Sequence, residues 1–436
     1  MNKMDEISKN FDKAEFLKKE VDKLKIKIEN WDLENITQKN LVSSSLRVIK
    51  ENKFGSNYTF GNSERTFNKL IAGARESAYY GEEAKFDFSR QKLNKKSLFN
   101  KDKFGKNDGE KLFGFIKDLL YYIEQKEKDI TFNLRLNKSS NKISLKTTNQ
   151  AELFEKNTNY QLRFGAPVPG GGSQISRTLE QDAMFEDICI DEINDFLRDY
   201  RNSYETSSPK TGNMPVLFSP NSLYFLFVSL NEGVSGKKVY QNISPLVDKR
   251  GEKIFSEKLF IVDKPHMKKS SSRRYFDDEG IKTDRTKIID EGVLKNYIYD
   301  LEYSEKMKVE PTGNGLKKAL FQEDISVPVT PSFINPVIET GNKTKKQLLS
   351  EIDEGIYVTN VIGFHSSNYE QGHFSVQAQG FHVKNGILQG RLQDVMMAGN
   401  IYNDFNNVIG IGDKLYPSMF GYAPYLLLEK ISVTGR

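Results

Sequence analysis

Ser271-Ser272-Arg273-Arg274-Tyr275-Phe276-Asp277-Asp278-Glu279-Gly280 is the stretch on which the reading of this chain turns. Two guanidinium groups, two aromatic rings and three carboxylates stand side by side, and a glycine follows. Arginine pairs bidentately with carboxylates and an acid accepts from an amine, so Arg273, Arg274, Asp277, Asp278 and Glu279 are candidates for holding peptide termini or a partner's loop. The same residues would also make a structural turn tied by salt bridges. Spacing alone does not separate the two readings.

Outward from that stretch, the chain beyond Met214 is a succession of short β-rich segments punctuated by Gly, Pro and Asn, among them Val216–Phe218, Lys258–Val262, Gly355–Val358, Phe374–Gly380 and Tyr425–Leu428. Helical interruptions are few, notably Asn221–Asn231 and Lys345–Glu351. Upstream the texture is mixed. Residues 4–30 space Ile7, Phe11, Phe16, Val21, Leu24, Ile26 and Ile28 among charges, which predicts an amphipathic helix or helical pair. Leu41–Ile49 and Gly55–Phe60 flank Glu51-Asn52-Lys53 as a hairpin. Ser63 offers cap chemistry before Phe67, Leu70, Ile71, Ala74 and Ala78, a helix to pack on that hairpin. A further helix is expected over Leu112–Ile123, a second hairpin over Ile130–Thr147 turning at Lys138–Asn141, and a helix over Leu179–Tyr200. Ala166–Ser173, with three glycines and two prolines, reads as a linker or mobile loop. The fold class is therefore α+β: a mixed N-terminal domain, residues 1–204, with helices on an antiparallel sheet, then a mostly antiparallel β-rich C-terminal domain, residues 205–436.

The bulk properties bound the function. A chain of 436 residues with 37% hydrophobic and 28% charged residues buries a real core. It holds no run of about 18 apolar residues and no signal-like start, so the expected compartment is the cytoplasm, without a membrane. Cys189 is the one cysteine, so it can neither close an internal disulfide nor build a thiolate metal site. Residues 1–150 carry 31 Lys/Arg against 22 Asp/Glu. These lysines alternate with acids, as in Lys18-Lys19-Glu20-Val21-Asp22-Lys23, the pattern of a solvated face more than of a nucleic-acid site.

The common catalytic signatures fail. Gly236-Lys237-Lys238 lacks the upstream glycine and the hydroxyl of a phosphate loop, and Gly170-Gly171-Gly172 does not open a dinucleotide site. None of His266, His365, His373 and His382 belongs to a His-Glu-x-x-His pair. A metal site assembled by folding from His365, His373 and the carboxylates 277–279 stays open, against an ordinary surface role for each histidine.

The order of motifs is more telling. Phe276-Asp277-Asp278-Glu279-Gly280, Thr283, Ile289, Gly292-Val293-Leu294, Thr312-Gly313-Asn314, Gly355-Ile356-Tyr357-Val358, Gly363-Phe364-His365, Asn368, Gly380, Ala398-Gly399-Asn400, Gly410-x-Gly412-Asp413 and Val433-Thr434-Gly435 together resemble the TldD/PmbA family, on its PmbA (TldE) side. The resemblance is strong over 205–436 and weak over 36–80. In the TldD-like branch a His-Glu-x-x-x-His helix follows the strand that is here Pro215–Phe218. This chain reads Ser222–Gly233 there, without imidazoles, and zinc hydrolysis needs about three ligands, an open position and a general base. The resemblance thus implies a subunit with no catalytic residues and no metal of its own, zinc being carried by a TldD-like partner in a heterodimer, or else a homodimer. It implies a peptide substrate in a shared chamber and adds His365 and Asn368 to the candidates for peptide binding or interface. A homodimeric peptide-binding or regulatory protein, and a role as a modulator of DNA gyrase, are the alternatives.

Overall fold

The structure, a computed structural model, describes residues 3–92, 97–98, 108–171, 174–182, 190–268, 270–319 and 322–435. Cys189 and the end of the Gly-rich stretch, Gly172 and Ser173, lie outside them. The elements below are those of the described residues.

The N-terminal half is built on a seven-stranded sheet in the order β3-β2-β1-β5-β6-β4, with β7 also on β6. Its strands are β1 (Lys13–Glu29), β2 (Asp32–Lys50), β3 (Lys53–Phe60), β4 (Ser97–Leu98), β5 (Asn133–Thr147), β6 (Glu152–Pro167) and β7 (Gln174–Gln181). Helices α1 (Lys3–Ser8), α2 (Glu64–Tyr79), α3 (Asp108–Lys126) and α4 (Ile190–Asn202) accompany it. The hairpin turn is tight because Glu51 and Asn52 both take positive φ, 51° and 62°. The Ser63 side chain accepts from the Thr66 N–H and starts α2, whose Phe67, Leu70, Ile71, Ala74 and Ala78 are buried.

Four expectations are corrected. Residues 13–29 are a strand, not a helix: β1 pairs along its length with β2 and with β5. The true period is two. Ala14, Phe16, Ile26 and Ile28 are buried on one face, while the other carries Glu15, Leu17, Lys19, Val21, Lys23 and Lys25. Charges on that second face hide the alternation. The hairpin expected at Lys138–Asn141 is absent, since β5 runs straight through it; the reversal comes at 148–151, where Gln150 takes φ 68°. The helix expected from Leu179 starts only at Ile190, because Gln174–Gln181 pairs with β6. Ala166 and Pro167 belong to the end of β6, so the Gly/Pro stretch begins inside the sheet.

The C-terminal half is β-rich. Its central sheet runs β16-β8-β23-β19-β17-β18, with β20 on β23; these are β8 (Gly212–Phe218), β16 (Glu354–Ile362), β17 (His373–Lys384), β18 (Ile387–Arg391), β19 (Met396–Asn400), β20 (Val408–Ile411) and β23 (Leu426–Thr434). Only the β8–β16 pair in it is parallel. Helix α5 (Tyr224–Val234) follows β8 almost at once and is apolar nearly all round, which places it in the core. A second sheet contains β9 (Ile261–Asp263), β10 (Thr286–Asp290), β11 (Val293–Leu294), β15 (Pro336–Ile338), β21 (Tyr416–Ser418) and β22 (Gly421–Ala423). A three-stranded one contains β12 (Gly315–Ala319), β13 (Gln322–Glu323) and β14 (Val329–Pro331). Short helices α6 (Gly236–Tyr240), α7 (Leu301–Met307), α8 (Lys345–Ser350) and α9 (Ile401–Asp404) fill the connections. No described helix is long and apolar enough to cross a membrane.

One apolar cluster spans the boundary expected from the sequence at 204/205. It joins Phe132, Phe164 and Phe196 to Leu217, Tyr357, Phe381 and Leu427, so the two halves share buried surface. At the other end of the N-terminal sheet, β3 and α2 touch closely: a Cβ on Gly55 would stand 2.3 Å from the Ala78 nitrogen and 2.7 Å from the Ala74 oxygen. We therefore expect Gly55→Ala to destabilise the protein by about 1–3 kcal/mol. Chemical denaturation checks this, and an unchanged midpoint would contradict the close approach.

Candidate functional site

The signature stretch lies where the second face of β1 meets the C-terminal half. Asp277 makes an Asx turn: its Oδ1 accepts from the N–H groups of Glu279 (3.0 Å) and Ile281 (2.9 Å), and its Oδ2 from Gly315 (2.8 Å). The turn needs Gly280, which takes φ 73° and leaves no room for a Cβ beside Leu145, 2.8 Å away. The next two carboxylates then point to opposite partners. Glu279 Oε1 receives Arg47 Nη1 at 2.6 Å, while its Oε2 accepts from the Leu301 N–H at the start of α7. Arg47 also grips Glu15, its direct cross-strand neighbour, through Nε (2.9 Å) and Nη2 (3.1 Å), and its guanidinium lies against the rings of Phe86 and Phe88. Asp278 takes Arg274 Nη2 at 2.9 Å, Lys19 Nζ at 3.0 Å and the Lys317 N–H at 2.9 Å. Glu155 on β6 accepts from the Tyr275 N–H at 2.6 Å.

Burial makes this ionic knot consequential. Glu15, Asp277, Asp278 and Glu279 are at most 1% exposed, and Arg47 and Arg274 only 5–6%. Desolvation pushes the Glu15 and Glu155 carboxyls up to about 7 and Asp300, which also faces Glu279, up to about 8. Asp277 moves well above the usual range for the same first reason. Asp278 is the exception: burial pulls upward, but Arg274 and Lys19 outweigh it and hold the group far below. Lys317, desolvated and near Arg47, falls to about 8.

The structure thus places Arg274, Asp277, Asp278 and Glu279 together in the seam between the halves of the chain. Arg273 turns away, its Nε to the Met267 carbonyl (3.1 Å) and its Nη2 to Asp182 (2.9 Å). His365 is exposed on the short turn Phe364–Ser366, and Asn368 is exposed just before the turn Tyr369–Gln371. No group of three or more His, Cys, Asp or Glu able to hold a metal ion occurs among the described residues, so folding does not assemble the histidines with carboxylates 277–279. Glu15, Lys19, Arg47 and Glu155 were missed by sequence reading. Their only signal is a period-two placement of charges among apolar residues.

A cleft runs past the knot. At one end a cavity of about 360 Å3 is fronted by α5 through Phe227, Val228, Asn231 and Glu232, with β14, Phe333 and Phe420 opposite. Its polar rim is Lys238, 2.8 Å from Glu370 and 3.7 Å from Glu232; burial raises the Glu232 carboxyl. Lys318 and Phe420 are shared with a second cavity of about 350 Å3, and Ser271, Ser272 and Lys318 with a third of about 380 Å3. The third opens onto the β1–β2–β5–β6 face and joins a fourth of about 600 Å3. Tyr369 and Glu370, beside Asn368, line the α5 end, which is how that turn approaches the cleft. The donor set on α5 does not suit zinc: two apolar side chains, a carboxamide that accepts from the Phe333 N–H, and one carboxylate near a lysine.

The family model for the PmbA/TldA metallopeptidase C-terminal domain matches residues 211–435, the stretch that carries β8, α5 and the α5 end of the cleft. The chain belongs to the PmbA/TldD family. It is 27% identical to a metalloprotease PmbA homolog of Buchnera aphidicola over 52% of this chain and 47% of the relative, and 29% identical to a zinc metalloprotease TldD homolog of Saccharolobus solfataricus over 48% and 45%. The matches span about half the length of these relatives. Over the whole chain the fold is that of TldE from Thermococcus kodakarensis, with a TM-score of 0.85 at 21% identity, covering 99% of this chain and 100% of the other.

Two outcomes test the knot. Arg47→Ala strands two buried carboxylates and should cost about 3–5 kcal/mol in a denaturation experiment. Carboxyls whose folded-state pKa is raised stabilise the fold below their ordinary values of 3.8–4.5 and lose that contribution as pH rises through 7–8. The melting temperature should therefore fall from pH 5 to pH 8, and less steeply in Glu15→Gln; a flat wild-type profile would refute the assignment.

Proposed function

We propose that this chain is the non-catalytic or regulatory subunit of a TldD/TldE-type metallopeptidase of the cytoplasm, acting on unfolded or small peptides beside a zinc-bearing TldD-like partner. One observation carries the reading: α5, the helix on which the resembling zinc branch carries His-Glu-x-x-x-His, presents Phe227, Val228, Asn231 and Glu232 to the end of a long cleft. The cleft suits an extended chain, with an apolar wall for side chains and polar groups along its floor. Metal and water activation would come from the partner, and this chain would hold the peptide and complete the chamber. Residues 205–436 would line that chamber and residues 1–204 form its entry, the two being treated as domains.

The experiment is cleavage of an unstructured protein by the purified chain alone and mixed with the TldD-like protein of the same organism, with and without chelator. Chelator-sensitive cleavage in the mixture alone is expected. Cleavage by the single chain would overturn the non-catalytic reading, and cleavage in neither would favour a homodimeric peptide-binding or regulatory protein.

A further inference from the structure

The far end of the cleft, on the N-terminal sheet, carries an unusual arrangement of charge. Lys23 on β1 stands directly opposite Lys39 on β2, and Lys25 follows two residues along on the same face. All three line the cavity of about 600 Å3. Like charges directly opposed across a strand pair are destabilising. On β1 the other lysines are matched: Lys13 by Asp87, Lys18 by Glu20, Lys19 by Asp278, Lys27 by Glu29. Lys23, Lys25 and Lys39 have no ion pair among the described residues.

The surroundings define what would relieve that repulsion. Asn137, Asn141, Asn157, Asn159 and Gln161 carpet the adjoining β5–β6 floor. Carboxamides both donate and accept, as the N–H and C=O groups of a peptide require, whereas phosphates only accept. Lys23 and Lys25, two residues apart on one strand, repeat at about 7 Å, the spacing of alternate side chains in an extended chain.

We infer that the sheet face bearing Lys23, Lys25 and Lys39 binds an acidic, extended segment of a polypeptide, Glu- or Asp-rich, whose continuation lies in the cleft toward α5. The inference rests on the peptide-subunit reading and gives it a substrate class: unstructured chains with a carboxylate-rich stretch to one side of the segment held at α5. Because the three ammonium groups are near the surface, the attraction is screened by salt.

The test uses the full chain without a partner or metal. Fluorescence anisotropy compares a labelled unstructured Glu-Gly-Ser repeat peptide, its Gln-Gly-Ser analogue and a single-stranded oligonucleotide of equal charge. The glutamate peptide should bind about tenfold more tightly than the glutamine analogue at low salt, a few exposed ion pairs together. The preference should disappear in the triple variant Lys23→Gln, Lys25→Gln, Lys39→Gln. Relief of the opposed charges should leave that variant's melting temperature equal to or above the wild type's, which separates lost binding from lost folding. Equal binding of the two peptides, a preference that survives in the variant, or tighter binding of the oligonucleotide overturns the inference. A glutamate preference without cleavage in the mixed-subunit assay removes the catalytic pairing and leaves this site; cleavage without the preference removes this site alone.

Discussion

Arg47 is held between Glu15, its neighbour across β1 and β2, and Glu279, which lies 232 residues further along the chain. A guanidinium offers a planar fork of donors, so one side chain satisfies a carboxylate from the N-terminal sheet and one from the C-terminal half together. Taken out of water, neither acid tolerates the loss of that partner. The contact therefore sets where the sheet sits on the rest of the chain, and the Asx turn at Asp277, the Asp278 cluster with Lys19 and Arg274, and the start of α7 are arranged around it.

Apolar packing acts in concert with this but at another place. The shared cluster around Phe132, Phe196, Tyr357 and Leu427 supplies non-directional burial. The ionic knot adds direction, because its hydrogen bonds are met only in one register of β1. With both in place, the second face of β1 is divided: Glu15, Leu17 and Lys19 are covered by the C-terminal half, and Lys23 and Lys25 are left over the cleft. A single strand thus serves as both the seam of the molecule and the floor of its groove.

This division gives the signature stretch its meaning. Its carboxylates are far from solvent and bound to partners within the chain, and the cleft is lined by residues on each side of them, Ser271 and Ser272 before and Lys318 after. The stretch shapes the cleft by anchoring its walls. The α5 end has an apolar wall with a rim of Lys238, Glu232 and Glu370, and the end on the N-terminal sheet is cationic.

The sequence by itself determined the family, the α+β class, the β-rich character beyond Met214, the first hairpin, and helices α2, α3, α5 and α8, because caps, turn residues and apolar periods are local signals. It also determined that α5 carries no imidazole. Only the tertiary structure decided that residues 13–29 form a strand, since their alternation is masked by charges whose partners are distant: Arg47 for Glu15, Asp278 for Lys19. The same holds for Asp277, Asp278 and Glu279. Ligand-binding turn and buried salt-bridge turn are identical as strings of residues, and the difference lies in the sheet that covers them.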